Sequence, residues 1–277
     1  MQGGIGNQLF CLYAGRFAAN NSKSELDLDL AHLGKAATSR TFDLGDLEFP
    51  FSFNLKDEKS GMFSDLFFKV LKRSRHLSKL ANLYNSPVVG FDKHLLTADK
   101  PLVLNGYFQT YEYVSRVSGN DEDATLFKLR NAGTAYQDLE KRISELNPVV
   151  IHIRRGDYLD KKNITTIGAL SDDYFIGILK LYYPERPIWV FSNDRNLASF
   201  SVFPNLEVIS TGELTDLEEL ILMSKASDLV ISNSTFSWWS GFLSKGSVIA
   251  PAKWFRGLND PENLCPESWL RVNPDWM

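Results

Sequence analysis

The chain has 277 residues, 44% of them hydrophobic, and a formal net charge of −4. That balance suits a globular protein with a substantial core, long enough for two medium domains, and it argues against a nucleic-acid-binding surface. No apolar run of about 18 residues and no basic leader ahead of an apolar segment is present, so the expectation is a soluble, cytoplasmic protein with no transmembrane segment. Cys11 and Cys265 lie far apart without metal-ligand spacing and read as free thiols of a reducing compartment, where the sequons at Asn20, Asn163 and Asn233 are chance matches.

In chain order, Met1 and Gln2 lead straight into GGIGNQLF. Gly3, Gly4 and Gly6 permit a turn with close backbone approach to a ligand. Leu9, Phe10, Tyr13 and Phe17 then mark one side of a helix. A strand usually precedes such a turn, and none does here. The loop also lacks the acidic residue that a full dinucleotide fingerprint requires. ELDLDL at Glu25 to Leu30 alternates as a strand, with Asp27 and Asp29 on one solvated face. Residues 31 to 105 carry little pattern beyond FPFSF at 49 to 53 and a basic helix near 63 to 82. The cluster from Lys69 to Lys79, with Lys72, Arg73 and Arg75, reads as a solvated face, an acidic membrane surface being the minor option. Leu102 to Leu104 predicts a strand running into GYFQ at Gly106 to Gln109. Tyr136, Leu139, Ile143 and Leu146 mark a helix that ends at Asn147-Pro148 and closes the first domain.

The second half alternates strand and helix. VVIHI at Val149 to Ile153 is a strand followed at once by Arg154, Arg155, Gly156 and Asp157. Ser171-Asp172-Asp173 opens a helix, and Ile188 to Phe191 is a strand ending in Ser192-Asn193-Asp194. Thr215 and Glu218 form a capping box. Asp228 to Ser232 is a buried strand, FSWWSGFLSK a helix closed by Gly246, and Val248 to Ala250 a last strand. This alternation predicts an α/β fold with parallel sheets and helices on both faces. The domains are expected at 1–146 and 147–277.

Two guanidinium groups at a strand's end are costly near a core unless an anion meets them, and the arginine fork matches phosphate oxygens in pairs. RRGD therefore reads as a phosphate clamp, with a surface salt bridge to Asp157 as the equal alternative. Asn233, Ser234, Thr235 and Ser237 sit at a helix N-terminus, where backbone N–H groups favour a phosphate. Ordinary N-capping explains one of those hydroxyls. Trp238 and Trp239 read as core. The four histidines are scattered and no Asp-x-Asp loop is convincing, so no metal site is expected.

GGIGNQLF, HIRRGDY at 152–158, FSND at 191–194 and SNSTFSWW at 232–239 stand in the order found in glycosyltransferase family 11, and the chain resembles that family over nearly its whole length. LDLDL, GYFQ and APAKWF at 250–255 also fit. These are α-1,2-fucosyltransferases, distantly similar to protein O-fucosyltransferases. The resemblance implies a GT-B-like arrangement of two facing Rossmann-like domains, here with the first strand of the N-terminal domain missing. It implies GDP-β-L-fucose as donor, the 2-hydroxyl of a galactoside-type glycan as acceptor, inversion, and no metal or other cofactor. On that basis Arg154 is expected on the β-phosphate and Arg155 toward Asp157 or the acceptor side. Gly4, Gly6, Asp157, Ser192, Asp194 and Asn233 to Ser237 are expected around the nucleotide, with Phe236 shaping its site. Asn7 is expected on the fucose or the leaving oxygen. His152 is a catalytic candidate by sequence proximity alone, and a structural role for it stands slightly ahead. The setting implied is bacterial surface-polysaccharide synthesis, at most peripheral to the inner membrane face. The alternatives are a protein O-fucosyltransferase-like enzyme and an inactive sugar-nucleotide-binding remnant. Ser240-Gly241, where Gly-Ala is usual, is a mild departure.

Overall fold

The computed structural model describes residues 1–30, 33, 41–56, 82–119 and 126–277. They form two units, the first Met1–Lys128 with Pro261–Pro266 and the second Leu129–Asp260 with Glu267–Met277. The boundary thus precedes the helix over Thr134–Leu146, which the expected division at 146/147 places in the first domain. Its N-cap, Gly133, donates its backbone N–H to Glu218 of the second unit at 2.7 Å. Apolar periodicity reveals such a helix but not the core on which it packs. The basic cluster from Lys69 to Lys79 lies outside the described residues.

The first unit begins with α1 over Ile5–Ser22, buried on most of its sides through Leu9, Phe10, Leu12, Tyr13 and Phe17. Two parallel pairs follow. β1 (Asp27–Asp29) pairs with β2 (Asn54–Lys56), and β3 (Leu83–Asn85) with β4 (Val103–Asn105). α2 spans Tyr111–Val117 and opens on Thr110, whose side chain accepts the Glu112 N–H. In β1, Leu28 is buried while Asp27 is exposed beside Asn54 and Lys56, a solvated face as the alternation predicts. Among the described residues no strand lies ahead of α1. Instead, the Met1 amine donates to the Asp29 carbonyl at the end of β1, and the Gln2 side chain to the Gly106 carbonyl after β4, both at 2.6 Å. FPFSF, unreadable as an element, is an aromatic seam: Phe49 lies 5.7 Å from both Phe51 and Phe53 and 5.6 Å from Phe127.

The second unit is one six-stranded parallel sheet with helices between its strands. Its elements are α3 (Thr134–Leu146), β5 (Val149–Ile153), α4 (Asp172–Tyr182), β6 (Ile188–Ser192), β7 (Leu206–Val208), α5 (Asp216–Met223), β8 (Asp228–Val230), α6 (Thr235–Leu243), β9 (Ser247–Pro251) and β10 (Leu270–Val272). The strand order is β10-β9-β8-β5-β6-β7. The chain winds outward from β5 through β6 to β7, then returns to lay β8 on the other side of β5. This is the doubly wound order, in which ligands settle beyond the carboxyl ends of the strands where the winding reverses. Here that switch point lies between the ends of β5 and β8.

Every residue of β5 is buried, as befits a central parallel strand covered on both faces. Val149, Ile151 and Ile153 pack with Phe175, Ile178 and Leu179 of α4. Trp238 and Trp239 of α6 are fully buried, Trp238 stacking on Phe242 with centroids 4.9 Å apart. The capping box at Thr215 and Glu218 forms as expected. α6 ends at Leu243, with Ser244 as C-cap, earlier than the expected stop at Gly246. Gly246 serves close packing instead: a Cβ there would lie 2.3 Å from the Ser227 carbonyl oxygen. The edge strands β7 and β10 are three residues each and carry no legible alternation. Among the described residues no helix is long and apolar enough to cross a membrane.

Candidate functional site

The switch point is tied together by His152, the penultimate residue of β5. Its Nδ1 is 3.0 Å from Ser232 Oγ, just beyond β8, and Ser232 Oγ is 3.4 Å from Ser237 Oγ on α6. The imidazole also lies 5.5 Å from the Phe236 ring. Burial, and then the positive charge of Arg154, push its pKa down to about 3. A ring held neutral and hydrogen-bonded to a buried serine is poorly suited to take a proton. These contacts give His152 a structural part between β5 and α6.

The two arginines that follow part company. Arg155 turns into the protein, 3% exposed, and donates to Asp172 Oδ1 at 2.8 Å, the first residue of α4. Its backbone N–H is accepted by Asn193 Oδ1 at 2.8 Å. Burial lowers its pKa and the Asp172 carboxylate counters that, but a guanidinium stays charged throughout. The expectation of Arg155 on Asp157 or toward an acceptor is thereby corrected: the acidic helix start draws it inward. Gly156 is in the left-handed region, with φ +61°, and a Cβ there would meet Asn193 Nδ2 at 2.6 Å. Only glycine lets the chain turn this tightly against the loop after β6.

Arg154 points the other way. Its Nη2 reaches Asp157 Oδ1 at 2.5 Å, and its guanidinium carbon is 5.4 Å from the Tyr158 ring centroid. The Arg154 side chain is 25% exposed and that of Asp157 45%. A partly solvated pair of this kind is worth about 0–1 kcal/mol. Of the two readings of RRGD, the salt bridge to Asp157 is the contact Arg154 makes in this structure.

α6 begins beside this group. Ser234 is its N-cap, accepting the Phe236 N–H at 3.3 Å, while the Ser237 hydroxyl donates to the Ser234 carbonyl. At this first turn Thr235 is half-buried and Ser237 fully buried. Asn233 Nδ2 is spent on the carbonyls of Ile167, Gly168 and Trp254, while its Oδ1 is buried with no hydrogen-bond partner among the described residues. It is a pin between loops, and its backbone carbonyl accepts the Tyr158 hydroxyl at 3.3 Å. Ser192 and Asp194 are occupied locally, Ser192 Oγ with the Asp194 N–H and Asp194 Oδ1 with the Asn196 N–H. Asn193, Asp172, Tyr158 and Ser232, none of them singled out for the site by sequence, organise it. Their signal was only their place in the motifs.

In the first unit, Gly4 is the N-cap of α1, and Gly3 is left-handed with φ +74°. Gln8 locks the loop, its amide donating to the carbonyls of Gly3 and Thr41 and its oxygen accepting the Asp43 N–H. Gly6 is buried on α1. Asn7 is half-buried, with Oδ1 accepting Gln109 Nε2 at 2.8 Å. Among the described residues no group of three or more His, Cys, Asp or Glu is placed to hold a metal ion.

A doubly wound domain with an arginine and a helix N-terminus at its switch point belongs among the nucleotide-binding α/β folds. The family model Glycosyl transferase family 11 matches residues 73–261, and the chain belongs to that family. It is 28% identical to an alpha-1,2-colitosyltransferase of Escherichia coli, over 98% of this chain and 97% of that one. It is also 35% identical to the O-antigen biosynthesis glycosyltransferase WbnK of Escherichia coli, over 46% of this chain and 45% of that one. A galactoside 2-alpha-L-fucosyltransferase of Caenorhabditis elegans is 21% identical over 70% of this chain and 57% of its own. Among solved structures, the fucosyltransferase NodZ from Bradyrhizobium is 15% identical, with a TM-score of 0.49 over 87% of this chain and 90% of that one. The protein is a glycosyltransferase.

Two outcomes follow from the contrast at the end of β5. Arg155→Met leaves Asp172 without its buried partner and is expected to cost about 2–3 kcal/mol in urea unfolding, whereas Arg154→Met changes stability by no more than about 0.5 kcal/mol. Equal losses in the two variants would contradict the opposed roles. His152 is neutral when folded, with a pKa lowered to about 3 from 6.5. The unfolded chain therefore binds the extra proton, and this contribution, complete above pH 6.5, fades as pH falls toward 3. His152→Asn should flatten the stability profile across that window relative to wild type. Parallel profiles would mean that the imidazole titrates normally.

Proposed function

We propose that the protein transfers L-fucose, with inversion, from GDP-β-L-fucose to the 2-hydroxyl of a galactoside-type acceptor during bacterial surface-polysaccharide synthesis. The observation that carries this reading is Arg154 at the switch point, loosely held by Asp157 and beside the open first turn of α6. The acceptor 2-hydroxyl attacks the anomeric carbon opposite the diphosphate, so the new bond is α as the β-linkage breaks. GDP leaves with the bonding electron pair, and the proton of the acceptor hydroxyl is released to water. The growing charge on its β-phosphate is met by the Arg154 fork and by the positive end of α6 at Thr235. Phe236, half-buried above His152, borders the nucleotide. The reaction is metal-independent in this reading, because the guanidinium and the helix terminus supply the positive field.

A second donor is favoured by one observation. The relative matched over 97% of its own length is named for colitosyl transfer, and colitose is fucose without its 3-hydroxyl. GDP-colitose is therefore the second candidate, for the same site and the same linkage.

Arg154→Ala is expected to lower turnover with GDP-fucose and a lactose-type acceptor by roughly 10²-fold or more, and Arg154→Lys not to restore it, since an ammonium cannot make the paired contact. Near-normal turnover in Arg154→Ala would falsify the clamp. In the same assay, excess chelator should leave the wild-type rate unchanged. A collapse reversed by magnesium or manganese would assign the leaving group's neutralisation to a metal.

A further inference from the structure

We propose that Gln109, held by Asn7, reads one hydroxyl of a substrate sugar. The inference rests on the sugar-transfer reading and names a residue of the first unit that decides which sugar is accepted. Gln109 is 7% exposed. Its backbone N–H donates to the Val89 carbonyl at 2.6 Å, and its Nε2 to Asn7 Oδ1 at 2.8 Å. Its Oε1 is buried and has no hydrogen-bond partner among the described residues. Leaving a buried amide oxygen unpaired costs about 1–3 kcal/mol, and more than about 90% of buried polar groups avoid it. Exchanging oxygen and nitrogen in both amides preserves the Asn7 contact and leaves Nε2 unpaired instead, so one buried hydrogen-bonding atom is unpaired under either assignment.

The backbone is built to hold that amide where it is. Phe108, immediately before it, is a bulky residue in the left-handed region, with φ +54°. It is 2% exposed, with its ring centroid 6.3 Å from that of Tyr113. Gly106 makes room for the same ring, since a Cβ there would lie 2.9 Å from Phe108 Cζ. Strain of this kind persists where surrounding packing over-determines it, commonly beside functional groups. On the other side, Gly3 makes room for Asn7, since a Cβ there would lie 2.7 Å from Asn7 Nδ2.

The pair is a neutral amide against a neutral amide on the first turn of α1. Uncharged amides with one open atom suit hydroxyl groups, which both donate and accept, better than a phosphate, which calls for cations. The hydroxyl belongs either to the transferred sugar or to the acceptor galactoside, and the test has an arm for each.

Initial rates are measured for wild type, Gln109→Met and Gln109→Ala, using GDP-fucose and its 2-, 3- and 4-deoxy counterparts with one acceptor. They are then measured with GDP-fucose and galactosides lacking the 3-, 4- or 6-hydroxyl. Wild type is expected to discriminate against one of these analogues by roughly 10²-fold or more, the consequence of leaving a buried polar group unpaired. In both variants that one ratio should fall below about 10-fold while the other ratios hold. A purely structural role for Gln109 would lower all rates together and leave every ratio unchanged, which overturns the proposal. Uniform acceptance of all analogues by wild type overturns it without reference to any variant. Transfer from GDP-fucose by wild type carries the functional reading separately, so the two fail in different columns of the same experiment.

Discussion

The buried guanidinium of Arg155 constrains everything around the candidate site. A charge 3% exposed survives there only because Asp172 stands at the start of α4 and Asn193 fixes the backbone beside it. These contacts bind the ends of β5 and β6 to the N-terminus of α4, around a glycine that alone can make the turn. With Arg155 anchored inward, its neighbour Arg154 must project outward, above a floor set by His152, Ser232 and Ser237. One tightly held cation thus positions a loosely held one. The two pairs differ in strength, since a buried pair is costly to break while the partly solvated Arg154–Asp157 pair contributes little.

The first unit shows the same logic without charge. Gln8 ties the glycine loop to the segment at Thr41 and Asp43, and Phe108 is wedged in a disfavoured backbone conformation. What remains between these fixed points is the Asn7–Gln109 amide pair, with one polar atom unspent. In both units rigid, fully used side chains surround a small number of groups whose hydrogen bonding is incomplete. Such preorganisation is the condition for stabilising a charge or selecting a hydroxyl without reorganisation at the moment of reaction.

Much of the second unit was legible because each strand is an apolar run ended by polar punctuation: VVIHI before RRGD, IWVF before SND, and the Asp228 strand before NST. The capping box at Thr215 and the αL stop at Asn147 are local codes that tertiary context did not override. Short edge strands such as Leu206–Val208 and Leu270–Val272 escaped because three half-exposed residues carry no periodicity. Within the site, residue types pointed to the right loops but not to the division of labour in them. Asn233 reads like a phosphate ligand yet holds three carbonyls, and Arg155 reads like a clamp yet pairs with a helix start seventeen residues on. Those choices depend on which side chain faces inward at the end of a strand, a matter of three-dimensional packing. Gln109 stands in the sequence only as the end of a motif, since an unpaired buried oxygen has no signature there.

A crystal structure of the protein with GDP tests the central claim most directly. It should show the β-phosphate within hydrogen-bond reach of Arg154 and of the first-turn N–H groups of α6, with Arg154 released from Asp157 and Arg155 still on Asp172. A diphosphate bound elsewhere, with Arg154 still paired to Asp157, would contradict it.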